Sequence, residues 1–141
     1  MDKRDFKDWG PYVCFGEDAS REVRIAWKSR EYSQSATICY GTTDDCLECV
    51  EMNYDEPKKQ HVAILSGLKP QTKYYYKIHR KNLAGCGEES KNEDCAYFFR
   101  TAPKVGSRTP FEFTIVGDLH ANPSEDISRV FNSMLKYAPD H

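Results

Sequence analysis

The sequence predicts an all-β sandwich followed by a single βα unit. Three observations carry this. Between Tyr12 and Thr101, short runs of alternating apolar and polar residues recur, separated by Gly, Pro, Asp and Asn. Within that stretch, Leu68-Lys69-Pro70-Gln71-Thr72-Lys73-Tyr74 closes a turn on an aromatic residue. Towards the C-terminus, Phe111–Val116 alternates, meets Gly117-Asp118-Leu119-His120, and gives way to an apolar period near 3.6.

Each element follows from its own residues. Pro11–Phe15 is a first edge strand, because proline cannot donate to a ladder and is confined to edges. Val23–Lys28 alternates with Val23, Ile25 and Trp27 on one face, which makes Trp27 a candidate core residue. Ala36–Tyr40 repeats the pattern and Gly41 ends it. Thr42–Asp45 is a polar turn, and Leu47–Tyr54 is at best a weak strand. Gln60–Leu65, Tyr74–His79 and Cys95–Arg100 complete six or seven strands, with the Gly- and Glu-rich Asn82–Asn92 as a loop. The sandwich spans residues 10–102. Ala102–Pro110, with Pro103, Gly106, Ser107 and Pro110, reads as a linker over 103–110.

Composition narrows the function classes. A chain of 141 residues with 39% hydrophobic and 30% charged residues holds one modest core, or a small domain plus a further unit. The net charge of −2, with both signs interspersed, makes no electrostatic case for nucleic acid or an anionic membrane. No apolar run approaches the roughly 20 residues of a membrane span. Met1–Asp8 is too charged for a signal-peptide core. That fits a cytoplasmic protein if Met1 is native and a secreted one if a leader has been removed.

Six cysteines stand at 14, 39, 46, 49, 86 and 95. Cys46-Leu47-Glu48-Cys49 is a CxxC, and Cys86 with Cys95 offers a second pair. Four thiolates could hold a structural zinc, but eight residues between Cys86 and Cys95 do not make the short knuckle of a zinc ribbon. Disulfides or free thiols are the expected state, with connectivity open. Cys39, alternating with Ile38 and Tyr40, is expected to be a small packed residue.

After Gly117-Asp118-Leu119-His120 a helix is expected. Asn122 is its N-cap, Pro123 its first residue, and Glu125 completes a capping pattern. Ile127, Val130, Phe131, Met134 and Leu135 form one apolar stripe, and Pro139 stops the helix. Residues 111–138 thus open an α/β layer whose stripe needs more sheet than one strand supplies. Asp118 and His120 would project from the strand's carboxyl end, where open α/β sheets place ligands. An oxygen and an imidazole nitrogen at this spacing suit one divalent metal.

The segment Leu68-x-Pro70-x-Thr72-x-Tyr74 resembles the tyrosine corner of fibronectin type III domains, as do Trp27 and Phe99-Arg100-Thr101-Ala102-Pro103. With Gly10-Pro11-Tyr12, Tyr40-Gly41 and the terminal Gly117-Asp118-Leu119-His120, the whole order resembles purple acid phosphatases and calcineurin-like metallophosphoesterases. The resemblance implies an N-terminal accessory sandwich and, from 111 to 141, the start of a catalytic domain. It also implies that Asp118 and His120 are the first metal-ligand motif of a two-metal centre of iron, manganese or zinc. Purple acid phosphatases usually carry Gly at the position of His120, so this motif is similar to the broader calcineurin-like group. In such centres two metals about 3.5–4 Å apart bind phosphate oxygens and activate a water for in-line attack on a phosphate ester. The remaining ligands come from later motifs absent from these 141 residues, so this chain alone is expected to be inactive and to bind metal weakly. Its partner would be the remainder of the catalytic domain. The alternative is a stand-alone fibronectin-type module for a protein or glycan. A Gly-Asn-His beyond His141 would support the first reading, a native stop codon the second.

Overall fold

A computed structural model describes residues 8–29, 35–80, 97–113, 115 and 124–137. Seven strands and one helix are formed there: β1 Asp8–Phe15, β2 Val23–Ser29, β3 Ala36–Gly41, β4 Glu48–Asp55, β5 Gln60–Leu65, β6 Lys73–Arg80, β7 Tyr97–Arg100 and α1 Ser124–Tyr137. Every strand pair is antiparallel, in the order β1-β2-β5-β4-β3-β6-β7. This is a β-sandwich whose two layers share a strand. β1-β2-β5 forms one layer and β4-β3-β6-β7 the other.

The sharing is done by β4. Its first half pairs with β3, from Glu48↔Tyr40 to Met52↔Ala36, and its last three residues pair with β5, from Asn53↔Val62 to Asp55↔Gln60. The sequence had suggested a weak strand here, because Glu48–Asp55 is mostly polar. Met52 is its single buried anchor. The eight residues hold together through two sets of ladder bonds rather than through an apolar stripe, which is why hydrophobic pattern alone undervalued them.

The core lies between the inward faces of the two layers. Val23, Ile25 and Trp27 of β2 meet Ile38 and Tyr40 of β3, Ala63 and Leu65 of β5, Tyr74 and Tyr76 of β6, and Phe99 of β7. Alternation within each strand sets this, since successive side chains point to opposite faces. His61 is fully buried in the same layer, stacked on Trp27 with centroids 4.6 Å apart, and Tyr54 tilts against its other side at 4.7 Å.

β1 begins three residues earlier than the sequence suggested. It accommodates Gly10-Pro11 through a bulge between Trp9 and Tyr12. Gly10 has φ +102°, and a Cβ there would lie 3.0 Å from the Ala26 carbonyl oxygen, so only glycine fits without strain. Beyond the bulge, the Tyr12 hydroxyl crosses β2 to donate to Gln60 Oε1 at 3.0 Å.

The chain divides into two units, Met1–Ser107 and Arg108–His141. In the second, α1 occupies the expected place and ends before Pro139. Phe111–Val116 is different. Phe111–Phe113 and Ile115 are not in a strand, and Phe111, Phe113 and Ile115 are 65%, 70% and 80% exposed. A strand's backbone groups must bond to a neighbour, and among the described residues none pairs with this segment.

Candidate functional site

At one pole of the sandwich three segments are knitted together: residues 18–22, 68–72 and 101–102. The Asp18 carboxylate accepts from the Ser20 N–H at 2.9 Å and from the Ser20 hydroxyl at 2.6 Å. Those two bonds hold the Asp18 carboxyl below the usual carboxylate range. The Arg21 carbonyl then accepts from the Leu68 N–H at 3.0 Å, and the Ala19 carbonyl from the Ala102 N–H at 2.9 Å.

Tyr74 is the anchor of this pole. Its ring is buried, stacked on Phe99 at 5.5 Å, and its hydroxyl accepts from the Lys69 N–H at 2.9 Å, five residues back along the chain. That is the tyrosine corner expected from Leu68-x-Pro70-x-Thr72-x-Tyr74. Thr101, 2% exposed, enters the sequence reading only as part of the closing Phe99-Arg100-Thr101-Ala102-Pro103 motif and proves equally central. Its hydroxyl donates to the Lys69 carbonyl at 2.6 Å and accepts from the Thr72 N–H at 2.9 Å, while its own N–H donates to the Thr72 carbonyl at 3.1 Å. Gln71 N–H completes the set by donating to the Ala102 carbonyl at 2.9 Å. The chain therefore leaves the sandwich from a fixed point. The signal was a threonine placed immediately after the last strand, opposite a turn whose backbone groups needed partners.

The cysteines depart from the expected grouping. Cys39 is joined to Cys49, its direct cross-strand neighbour on β3 and β4, with Cα atoms 4.0 Å apart. The reading of Cys39 as merely a packed residue is therefore corrected: it is buried and crosslinked. The CxxC is not a unit either, because Cys46 is also disulfide-bonded, and not to Cys49. Cys14 is free and exposed, and Cys86 and Cys95 lie outside the described residues. The physical reason lies in register. Once Tyr40 pairs with Glu48, residues 39 and 49 face each other, and the CxxC spacing becomes incidental. Neither Cys46 nor Cys49 has a thiolate to offer zinc.

Asp118 and His120 lie outside the described residues, as do Asn122 and Pro123 of the proposed helix cap. Among the described residues no group of three or more His, Cys, Asp or Glu side chains is placed to hold a metal. No helix among them is long and apolar enough to cross a membrane.

The family description "Purple acid Phosphatase, N-terminal domain" matches residues 10–101, from the β1 bulge glycine to the buried threonine of the corner. The chain belongs to that family. A solved structure from a computer-based redesign of a β-sandwich protein is also similar, at 13% identity and a TM-score of 0.41, covering 65% of this chain and 92% of that one. At that level the likeness adds nothing to the strand topology itself. For a purple acid phosphatase N-terminal domain, the matched span begins where β1 requires glycine and ends where Thr101 closes the corner. Gly117-Asp118-Leu119-His120 lies beyond it.

Proposed function

We propose that this chain is the N-terminal part of a metal-dependent phosphoesterase, with Asp118 and His120 as its first pair of metal ligands. The observation that carries the reading is order along the chain. A purple acid phosphatase N-terminal domain over residues 10–101 is followed by an alternating apolar segment, Gly117-Asp118-Leu119-His120, and the amphipathic helix α1. When bound, a pair of iron, manganese or zinc ions would supply Lewis acidity and an activated water for attack on a phosphate ester. What the chain itself contributes is placement. Asp118 offers a carboxylate and His120, two residues on, an imidazole, and Gly117 before them carries no side chain to crowd the pair. The sandwich fixes where the chain leaves, through Thr101 and Ala102, before the segment that carries the pair.

The test compares the 141-residue chain with a longer one that continues past His141 through later ligand motifs. The short chain should show weak metal uptake and no meaningful p-nitrophenyl phosphate hydrolysis, since a catalytic metal ordinarily needs at least three protein ligands. The longer chain should hydrolyse the ester in a metal-dependent way. Asp118→Asn or His120→Ala should lower both its metal content and its turnover, the latter by orders of magnitude. A longer chain indifferent to both substitutions would overturn the ligand assignment. A short chain with robust turnover would overturn the incomplete-site reading.

A further inference from the structure

The outward face of the β4-β3-β6-β7 layer has no role in the reading above. Tyr74, Tyr76 and Phe99 point into the core, so Lys73, Tyr75, Lys77 and His79 of β6 and Phe98 and Arg100 of β7 point outward. Register brings them into rows: Lys73 opposite Arg100, and Tyr75 opposite Phe98, with Gly41 on the other side of Tyr75 adding no side chain. The Lys73 ammonium lies 3.9 Å from the Phe98 ring centroid and 5.5 Å from that of Tyr75. Both rings are partly exposed.

The charge of this face runs against that of the chain. Overall, 22 acidic residues outnumber 20 Lys and Arg. Among the described residues this face sets Lys73, Lys77 and Arg100 against Glu51, and no described carboxylate forms an ion pair with any of the three cations. Lys77 is four residues along β6 from Lys73, about 13 Å at strand rise, and Arg100 is one strand spacing, about 5 Å, from Lys73. Cations so spread over a sheet surface match repeated charges on an extended polymer better than a single small anion.

The polymer's class follows from the rings and the cysteines. Partly exposed aromatic faces beside cations suit a ligand with apolar faces and anionic edges, which describes an acidic pyranose chain. Single-stranded nucleic acid shares those traits. Disulfides such as those of Cys39, Cys49 and Cys46 persist in oxidising compartments, where acidic glycans rather than nucleic acids are the abundant polyanions. We propose that the Lys73–Tyr75–Lys77–Phe98–Arg100 face binds an acidic polysaccharide.

The experiment measures binding of the full 141-residue chain to polygalacturonate and to heparin, with neutral dextran as the blank, at about 50 mM salt and again at higher salt. The carboxylate and sulfate polymers separate the two sources of negative charge. Salt-sensitive binding to at least one of them is expected. It should weaken about tenfold or more in Lys73→Gln/Lys77→Gln/Arg100→Gln, but less than about twofold in Arg24→Gln/Lys28→Gln on the opposite layer. Circular dichroism checks that each variant folds, and exposed Arg100→Gln alone carries the comparison should the triple variant not fold. Failure to bind either polysaccharide would overturn the proposal. So would equal weakening by the Arg24/Lys28 pair, or tighter binding to single-stranded RNA or to phosphatidylserine vesicles than to either polysaccharide. None of these outcomes depends on phosphatase activity.

Discussion

Residues 23–101 and residues 108–137 carry comparable apolar patterns and bury them very differently. In the sandwich, Val23, Ile25, Ile38 and Leu65 are at most 1% exposed. In the second unit, Phe113, Leu135 and Tyr137 are 70%, 55% and 83% exposed. The same unit also separates two kinds of local order. α1 forms where its pattern predicts, because a helix satisfies its backbone bonds internally. Phe111–Phe113, with an equally good strand pattern, does not, because a strand takes its bonds from a neighbour. A periodic pattern specifies which face will be buried; only a partner buries it.

The comparison breaks or holds most visibly on truncation of one side chain in each unit. Ile38→Ala removes a fully buried side chain from the centre of the core and should cost about 2–5 kcal/mol. Leu135→Ala on α1 should change stability by less than about 0.5 kcal/mol, since its side chain is half exposed and alanine favours helix. Urea unfolding of the full chain, followed by tryptophan fluorescence and by circular dichroism, reads both. Equal losses would mean that the second unit's apolar stripe is as buried as the sandwich core.

What was legible in the sequence follows the same division. The alternating strands declared themselves through residues such as Val23-x-Ile25-x-Trp27, and Gln60–Leu65 was placed at its observed bounds. Tyr74 was legible because the turn spacing before it is specific. β4 was undervalued because its stability comes from ladder bonds to two neighbours, which leave no mark on hydrophobicity. The Cys39–Cys49 link depended on a register that no local pattern fixes. The Lys73–Arg100 row needed two strands to be aligned before its charge could be seen. The proposed ligands Asp118 and His120 were readable only as a motif.

A sharper question within the sandwich is how the corner divides its work between Tyr74 and Thr101. Tyr74→Phe keeps the stacked ring and deletes the acceptor for the Lys69 N–H, and should cost about 1–3 kcal/mol. Thr101→Val keeps shape and deletes the hydroxyl's donation to the Lys69 carbonyl and its acceptance from the Thr72 N–H, with a similar cost. Because both act on Lys69, the double variant should lose less than the sum of the two, with a coupling of at least about 0.5 kcal/mol. Strict additivity in urea melts would show the two residues to be independent pins.

The smallest effect expected is a pH dependence confined to the sandwich. Burial, and behind it the hydrogen bond and charge of Glu48, pushes the Tyr40 hydroxyl up to about 12. Burial, then the neighbouring Tyr97, pushes Tyr76 up to about 12 as well. An unfolded tyrosine ionises near 10. Below that pH both states are neutral and the stability contribution is complete. Between pH 10 and about 12 only the unfolded chain ionises, so stability must fall as pH rises. At pH 11 the loss is on the order of 1 kcal/mol for Tyr76 and smaller for Tyr40, where solvent screens the hydroxyl. Urea midpoints measured from pH 9 to 11.5 should decline, and the decline should be shallower in Tyr76→Phe, which cannot ionise in either state. A Tyr76→Phe profile parallel to that of the parent chain would assign the alkaline loss to other groups and detach it from core burial.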